Sequence, residues 1–261
     1  MNKCEVINLL IKKGYAVSEQ QINKNGITYT GLCFSSPDFG GIAPVINLDT
    51  IVRLTETELV RKIDEIAFET KRRRASANAV AEILNDKNRL LSNVKISLQR
   101  CGALPENVVK RPSKLDAAYN DYMFISVNMD NITSGIVKIN KDMVKDIDLD
   151  VLWTNALCNT IAEARAESLG DMLGLAESMD MGLIAISNKA NCHGAGCIYA
   201  ADRLLKKGSY VAIPSSIHEW IVFPYTDDVD LEKVTEMIRE VNETQVAPEE
   251  RLGSFPTVFI V

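Results

Sequence analysis

Apolar residues recur at helical spacing at the start of the chain. Cys4, Ile7, Leu10 and Ile11 share one face, which predicts an amphipathic helix over 2–13 ended by Gly14. Two strand-like runs follow, 15–23 and 27–35, and Asn25-Gly26 between them is a strong signal for a tight hairpin. IAPVINL reads as a third strand. Pro44 within it has no amide donor, so that strand belongs at an edge or a bulge. Thr55 and Glu58 have capping-box spacing, and Leu59, Ile63, Ile66 and Ala67 line one face of the helix they open. NAVAEILND looks helical and VKISLQ looks like a strand, leaving 78–100 with mixed character.

The stretch 101–114 holds two prolines and several polar residues, as a linker or long loop would. DYMFISVNM and GIVKIN then suggest a strand pair joined by DNITS, and Leu149, Leu152, Trp153, Ala156, Leu157 and Ile161 mark a buried helix. In the last third MGLIAIS, YVAIP, WIVFP and FPTVFIV read as strands. GCIYAADRLLKKG reads as a helix, and so does a charged segment with Leu231, Val234, Ile238 and Val241 on one face. Strands and helices in this order predict an α+β fold, helices packed on a mostly antiparallel sheet. The expected division is an N-terminal hairpin-and-helix part over 1–100 and a larger C-terminal sheet-and-helix part over 115–261, or one continuous domain. No internal repeat or low-complexity tract interrupts it.

The 261 residues are enough for one large or two modest domains, and 46% hydrophobic with 25% charged residues is a globular composition. A net charge of −6 opposes phosphate backbones and anionic lipid heads, so nucleic-acid and membrane partners are disfavoured. No run reaches the roughly 18 apolar residues of a membrane span, and the first residues lack the apolar core of a signal peptide. Six scattered cysteines in a chain of this size are expected to be reduced thiols in a cytoplasmic protein. The KRRR run at 71–74 suits a helix C-terminus, where cations complement the dipole; a phosphate-binding patch is the rival reading.

GITYTGL, IAPVINL, ISNKANCHGAG, VAIPSSIHEWIVFP and VNETQVAPEERL together resemble an uncharacterised family of gut Gram-positive bacteria and their mobile elements, a domain of unknown function. The similarity is densest over 210–252. It implies a shared fold and a bacterial, intracellular setting, and brings no activity, cofactor or catalytic residue.

Candidate chemistry centres on the apolar-flanked knot of VAIPSSIHEWIVFP. Ser215, Ser216, His218 and Glu219 are the ingredients of a nucleophilic hydrolase. Neighbours in extended chain point to opposite faces, however, and the glycine-flanked elbow of serine hydrolases is missing. The preferred reading is a turn between two buried strands, with the serines bonding the turn backbone. Cys192, His193 and Cys197, with His218 as fourth ligand, are candidate zinc ligands, although their spacing matches no common zinc motif. Gly194 and Gly196 could cradle a phosphate or simply permit a tight turn, and Asp227, Asp228 and Asp230 suit helix capping better than a cation site. The leading expectation is a non-enzymatic binding or regulatory protein without a cofactor. It would recognise a protein partner through Ser215, Ser216, His218, Glu219, Gln245, Glu249 and Glu250, with the segment Thr244 to Arg251 lying beside the turn.

Overall fold

The computed structural model describes residues 2–128, 134–172 and 182–261, and the chain forms two compact units, Met1–Asn85 and Asp86–Val261. Both are α+β, and every strand pairing described is antiparallel. The DNITS connection lies mostly in 129–133, outside the described residues, as does Met181 of the MGLIAIS strand.

In the first unit, helix α1 (Lys3–Lys12) opens on a capping box in which Asn2 and Glu5 satisfy each other's main-chain N–H. Its buried face is Val6 and Leu10, while Cys4 is exposed and Ile11 is 56% exposed. The apolar stripe is therefore rotated from the face expected: Val6 and Leu10 are four residues apart and stack on one side. Strands β1 (Ala16–Lys24) and β2 (Ile27–Ser35) pair across the Asn25-Gly26 turn, both turn residues holding the positive φ that a type I′ hairpin requires. Among the described residues strand β3 (Val45–Asn47) pairs only with β2, so Pro44 does precede an edge strand. A short helix α2 (Leu48–Ile51) leads to α3 (Glu56–Arg72), which carries the Thr55/Glu58 capping box, and then α4 (Arg74–Asn85). Leu59, Ile63 and Ala67 of α3 close a core with Leu10, Leu32, Phe34, Phe39 and Ile51.

The second unit begins with α5 (Lys87–Asn93), capped by Asp86, whose carboxylate accepts from the N–H groups of Asn88 and Arg89. Strands β4 (Val94–Arg100), β5 (Lys110–Pro112), β6 (Tyr119–Asn128) and β7 (Ser134–Lys138) make one sheet around β6. Helix α6 (Leu149–Glu163) packs on β4, and the Thr160 hydroxyl accepts from Ile96 N–H at 2.8 Å. The other sheet takes β8 (Ala164–Ser168), β9 (Ile184–Asn188), β10 (Ser209–Ser216), β11 (Glu219–Pro224) and β12 (Thr257–Ile260), in spatial order β12-β10-β11-β9-β8. Short helices α7 (Leu169–Met172) and α8 (Ala201–Leu204) and the long α9 (Leu231–Thr244) complete the unit. The continuous apolar runs around 211 and 221 are thus two adjacent interior strands, and Ala212, Trp220 and Val222 are fully buried.

One helix differs from expectation. GCIYAADRLLKKG does not form one helix: a 3₁₀ segment, 194–200, is followed by the single turn α8, and 205–208 are not helical. A Cβ on Gly196 would strike the carbonyl oxygen of Ile96, so Gly196 lets the chain press directly onto β4, while one on Gly194 would strike Ser187 Oγ and the His218 carbonyl oxygen.

Candidate functional site

The knot between β10 and β11 is a two-residue reversal in which the strand register shifts, with Ser216 opposite Glu219. Ser215 Oγ donates to Glu219 Oε1 at 3.1 Å, and Ser216 Oγ accepts from the main-chain N–H of His218 at 3.0 Å. The serine hydroxyls therefore bond the turn itself, and the His218 ring looks elsewhere. Its Nδ1 accepts from the main-chain N–H of His193 at 3.1 Å, and its Nε2 faces Glu250 Oε1 at 3.7 Å. With Nδ1 an acceptor, the neutral ring carries its proton on Nε2, toward the carboxylate.

Both histidines of the chain thus meet in one cluster, ring centroids 5.4 Å apart. His193 comes from the loop after β9, where Asn188 shapes the chain. Its side-chain oxygen accepts from the N–H groups of Ala190 and Cys192, and its amide donates to the Cys192 carbonyl at 2.7 Å. The loop leaves His193 in the left-handed region, φ 53° and ψ 34°. Tyr122 Oη lies 2.7 Å from His193 Nδ1. Burial raises the Tyr122 pKa, so the phenol keeps its proton, and the tautomer of His193 sets which of the two groups donates. Phe124 flanks the same imidazole with ring centroids 6.0 Å apart.

Further bonds stitch this loop to the turn. Ser187 Oγ donates to the His218 carbonyl at 2.8 Å, Ala195 N–H to the Ile217 carbonyl at 3.2 Å, and Trp220 Nε1 to the Ala195 carbonyl at 2.9 Å. A third segment joins when Ile217 N–H donates to the Glu250 carbonyl at 2.9 Å. The turn and the stretch after α9 are therefore neighbours. Gln245 and Glu249 lie on that same stretch, Gln245 exposed at the helix end and Glu249 partly exposed; Ser216 is buried.

Of the other zinc candidates, Cys197 is buried in the core cluster with Trp220 and Ile198, and burial pushes its thiol up to about 12. Burial, then the charge of Glu250, also raises the Cys192 thiol. Among the described residues no three His, Cys, Asp or Glu side chains converge as a metal site. Asp230 caps α9 by accepting from Glu232 and Lys233 N–H. Lys71 pairs with Asp38 at 2.8 Å, and Arg72 and Arg73 pair with Glu69. Among the described residues no helix is long and apolar enough to cross a membrane.

Tyr122, Glu250 and the two histidines come from four segments that no local spacing connects. Only NCHGAG, a polar triplet followed by two glycines around Ala195, marks in the sequence an irregular loop able to place His193.

The fold and this cluster define a two-unit α+β protein whose second unit holds a histidine-centred polar junction at the end of a sheet. The chain belongs to the family of unknown function DUF5688, whose model matches residues 4–256. No curated protein matches the chain, and neither does any solved structure.

Proposed function

We propose that the chain is a non-enzymatic binding or regulatory protein of the bacterial cytoplasm, serving a mobile genetic element, that takes a protein partner at the junction of the β10–β11 turn with the segment around Glu250. One observation carries this reading: the turn is held by main-chain and side-chain bonds from two other segments, yet His218 and Glu250 keep 25% and 43% of their side-chain surface exposed. A rigid, partly exposed polar turn loses little entropy on binding, which favours recognition. Glu219, Glu249 and Glu250 make the junction acidic, so the complementary partner surface is basic.

The test is the double variant His218→Asn with Glu219→Ala. Asparagine retains an acceptor for His193 N–H while removing the ring that faces Glu250. Stability should change by under about 1 kcal/mol, as at surface sites, while a saturable, salt-sensitive partner captured by the wild type is lost. Undiminished capture by the variant refutes the reading.

A second reading, an acid–base enzyme, is favoured by the meeting of the two histidines with Tyr122 and Glu250. In its hydrolase form Ser215 or Ser216 would be the nucleophile. A serine-directed phosphonate probe separates the readings: saturable labelling that needs His218 supports the enzyme, and none is expected for a binding protein.

A further inference from the structure

A cleft of about 390 Å³ opens between the end of β4, the first residue of β6, helix α9 and the segment leading into β12. That volume suits a small molecule, since ligand pockets run roughly 300–1,000 Å³. Three guanidinium-bearing residues from three elements line it: Arg100, Arg239 and Arg251. Asp116 and Glu243 also line it, leaving a formal surplus of one positive charge on a chain whose net charge is −6. Arg239 makes no ion pair among the described residues, and the bond described for Arg251 uses Nε, donating to the Val246 carbonyl at 3.2 Å.

The uncharged walls point to a ligand as well. Tyr119 is 4% exposed and packs edge-on against Trp220, yet its hydroxyl has no hydrogen-bond partner among the described residues. Burial raises its pKa to about 12, so it stays a donor. Asn242 is 7% exposed and spends its amide N–H on the Gly253 carbonyl at 2.8 Å, while its side-chain oxygen accepts from no described donor. Both atoms open on the cleft rather than being sealed in the core, so their partner there is water or a ligand that displaces it. Gly253 keeps the cleft open beside Tyr119, because a Cβ there would strike the tyrosine hydroxyl. At the rim Phe255 is 66% exposed and followed by Pro256, an apolar platform on which a flat ring can lie.

We infer that this cleft binds a small organic anion bearing a planar ring, its carboxylate or phosphate held by Arg239 and Arg251, its ring on Phe255, and its polar substituents bonded to Tyr119 and Asn242. The proposal does not depend on the partner surface around His218. The probes are a nucleoside monophosphate, an aromatic carboxylate, their uncharged parent ring compounds and inorganic phosphate, titrated calorimetrically into the full chain. At least one ring-bearing anion should bind with Kd below about 1 mM, and both the uncharged parents and inorganic phosphate at least about tenfold more weakly. Arg239→Gln, at an exposed position, and Tyr119→Phe, which removes only the hydroxyl, should each weaken binding at least about fivefold with an unchanged urea midpoint. Binding of neither ring-bearing anion, or equal binding by wild type and Arg239→Gln, overturns the proposal.

Discussion

The main-chain N–H of His193 points at Nδ1 of His218, 3.1 Å away, while the His193 backbone sits in the left-handed region at φ 53°. A side chain 25 residues further along the chain thus supports a conformation that a non-glycine residue adopts only at a cost. His218→Ala should leave that N–H without its acceptor and lower stability by about 1–2 kcal/mol, while His218→Asn should recover most of the loss. Urea midpoints of the three proteins check this. Equal midpoints for the alanine and asparagine variants would show that the bond contributes nothing.

The same backbone strain separates two substitutions at His193. Both His193→Gly and His193→Ala lose the bond to Tyr122 Oη, but only glycine adopts φ 53° without penalty. The glycine variant should be more stable than the alanine variant by about 1 kcal/mol. The reverse order would mean that the loop relaxes to another conformation when the imidazole is gone.

Gly196→Ala should be among the most damaging single changes in the second unit. Its Cβ would meet the carbonyl oxygen of Ile96 and come within 3.1 Å of Ser97 Cα, both main-chain atoms of β4 that cannot swing aside. A loss of at least about 3 kcal/mol is expected, the upper end of overpacking costs. Calorimetry of the intact chain should show the lower shift in the transition of the second unit. A shift under about 2 °C would place the close approach elsewhere.

Much of this fold could be read along the chain. Continuous apolar runs at 211 and 221 announced interior strands, Asn25-Gly26 announced the hairpin, and Thr55 with Glu58 announced a helix start; in each case neighbours in sequence carry the signal. The unit boundary at Asn85 was harder to see, because α4, α5 and β4 follow one another without a glycine or proline, although Asp86 has the placement of an N-cap. The site was legible only in part. That 215–219 forms a turn, with the stretch up to Glu250 beside it, followed from where two strands and a helix end. The meeting of His193, Tyr122 and His218 has no periodic signature, since hydrogen bonds across segments far apart in the chain depend on tertiary packing alone. The α1 face was misplaced by one residue step for a related reason: with apolar residues at 4, 6, 7, 9, 10 and 11, which of them faces the core is decided by the sheet it meets.

The basic run at 71–74 should prove inert toward nucleic acid. Lys71 is paired with Asp38, and Arg72 and Arg73 share Glu69, so much of its charge is balanced by neighbouring acids. Any weak DNA binding at physiological salt should be the same in wild type and in Arg72→Ala with Arg73→Ala and Arg74→Ala, measured by fluorescence anisotropy. Submicromolar binding abolished by the triple substitution would show that the ion pairs open to receive phosphate.

Cys197 supplies the last prediction, a loss of stability on the alkaline side. It is 1% exposed, and burial, with the Glu163 charge a smaller cause, pushes its thiol up to about 12 from an ordinary value of 9.0. Between those two values the folded chain keeps the proton and the unfolded chain releases it. The unfolded state therefore binds fewer protons, and stability falls as pH rises through this window. Below pH 9.0 both states hold the proton and the thiol contributes no pH dependence. Tyr119, raised from 10.0 to about 12, adds to the slope in the upper part of the window. Cys197→Ala should remove about one proton's worth of slope, seen as a smaller drop in urea-unfolding free energy between about pH 8 and about pH 10.5 than in the wild type. In the same preparations Cys4, Cys101 and Cys158, all exposed, should alkylate first, with Cys197 reacting only as the protein unfolds. Identical alkaline slopes in the two proteins, or early alkylation of Cys197, would mean that water reaches this part of the core and that the thiol titrates as an ordinary surface cysteine.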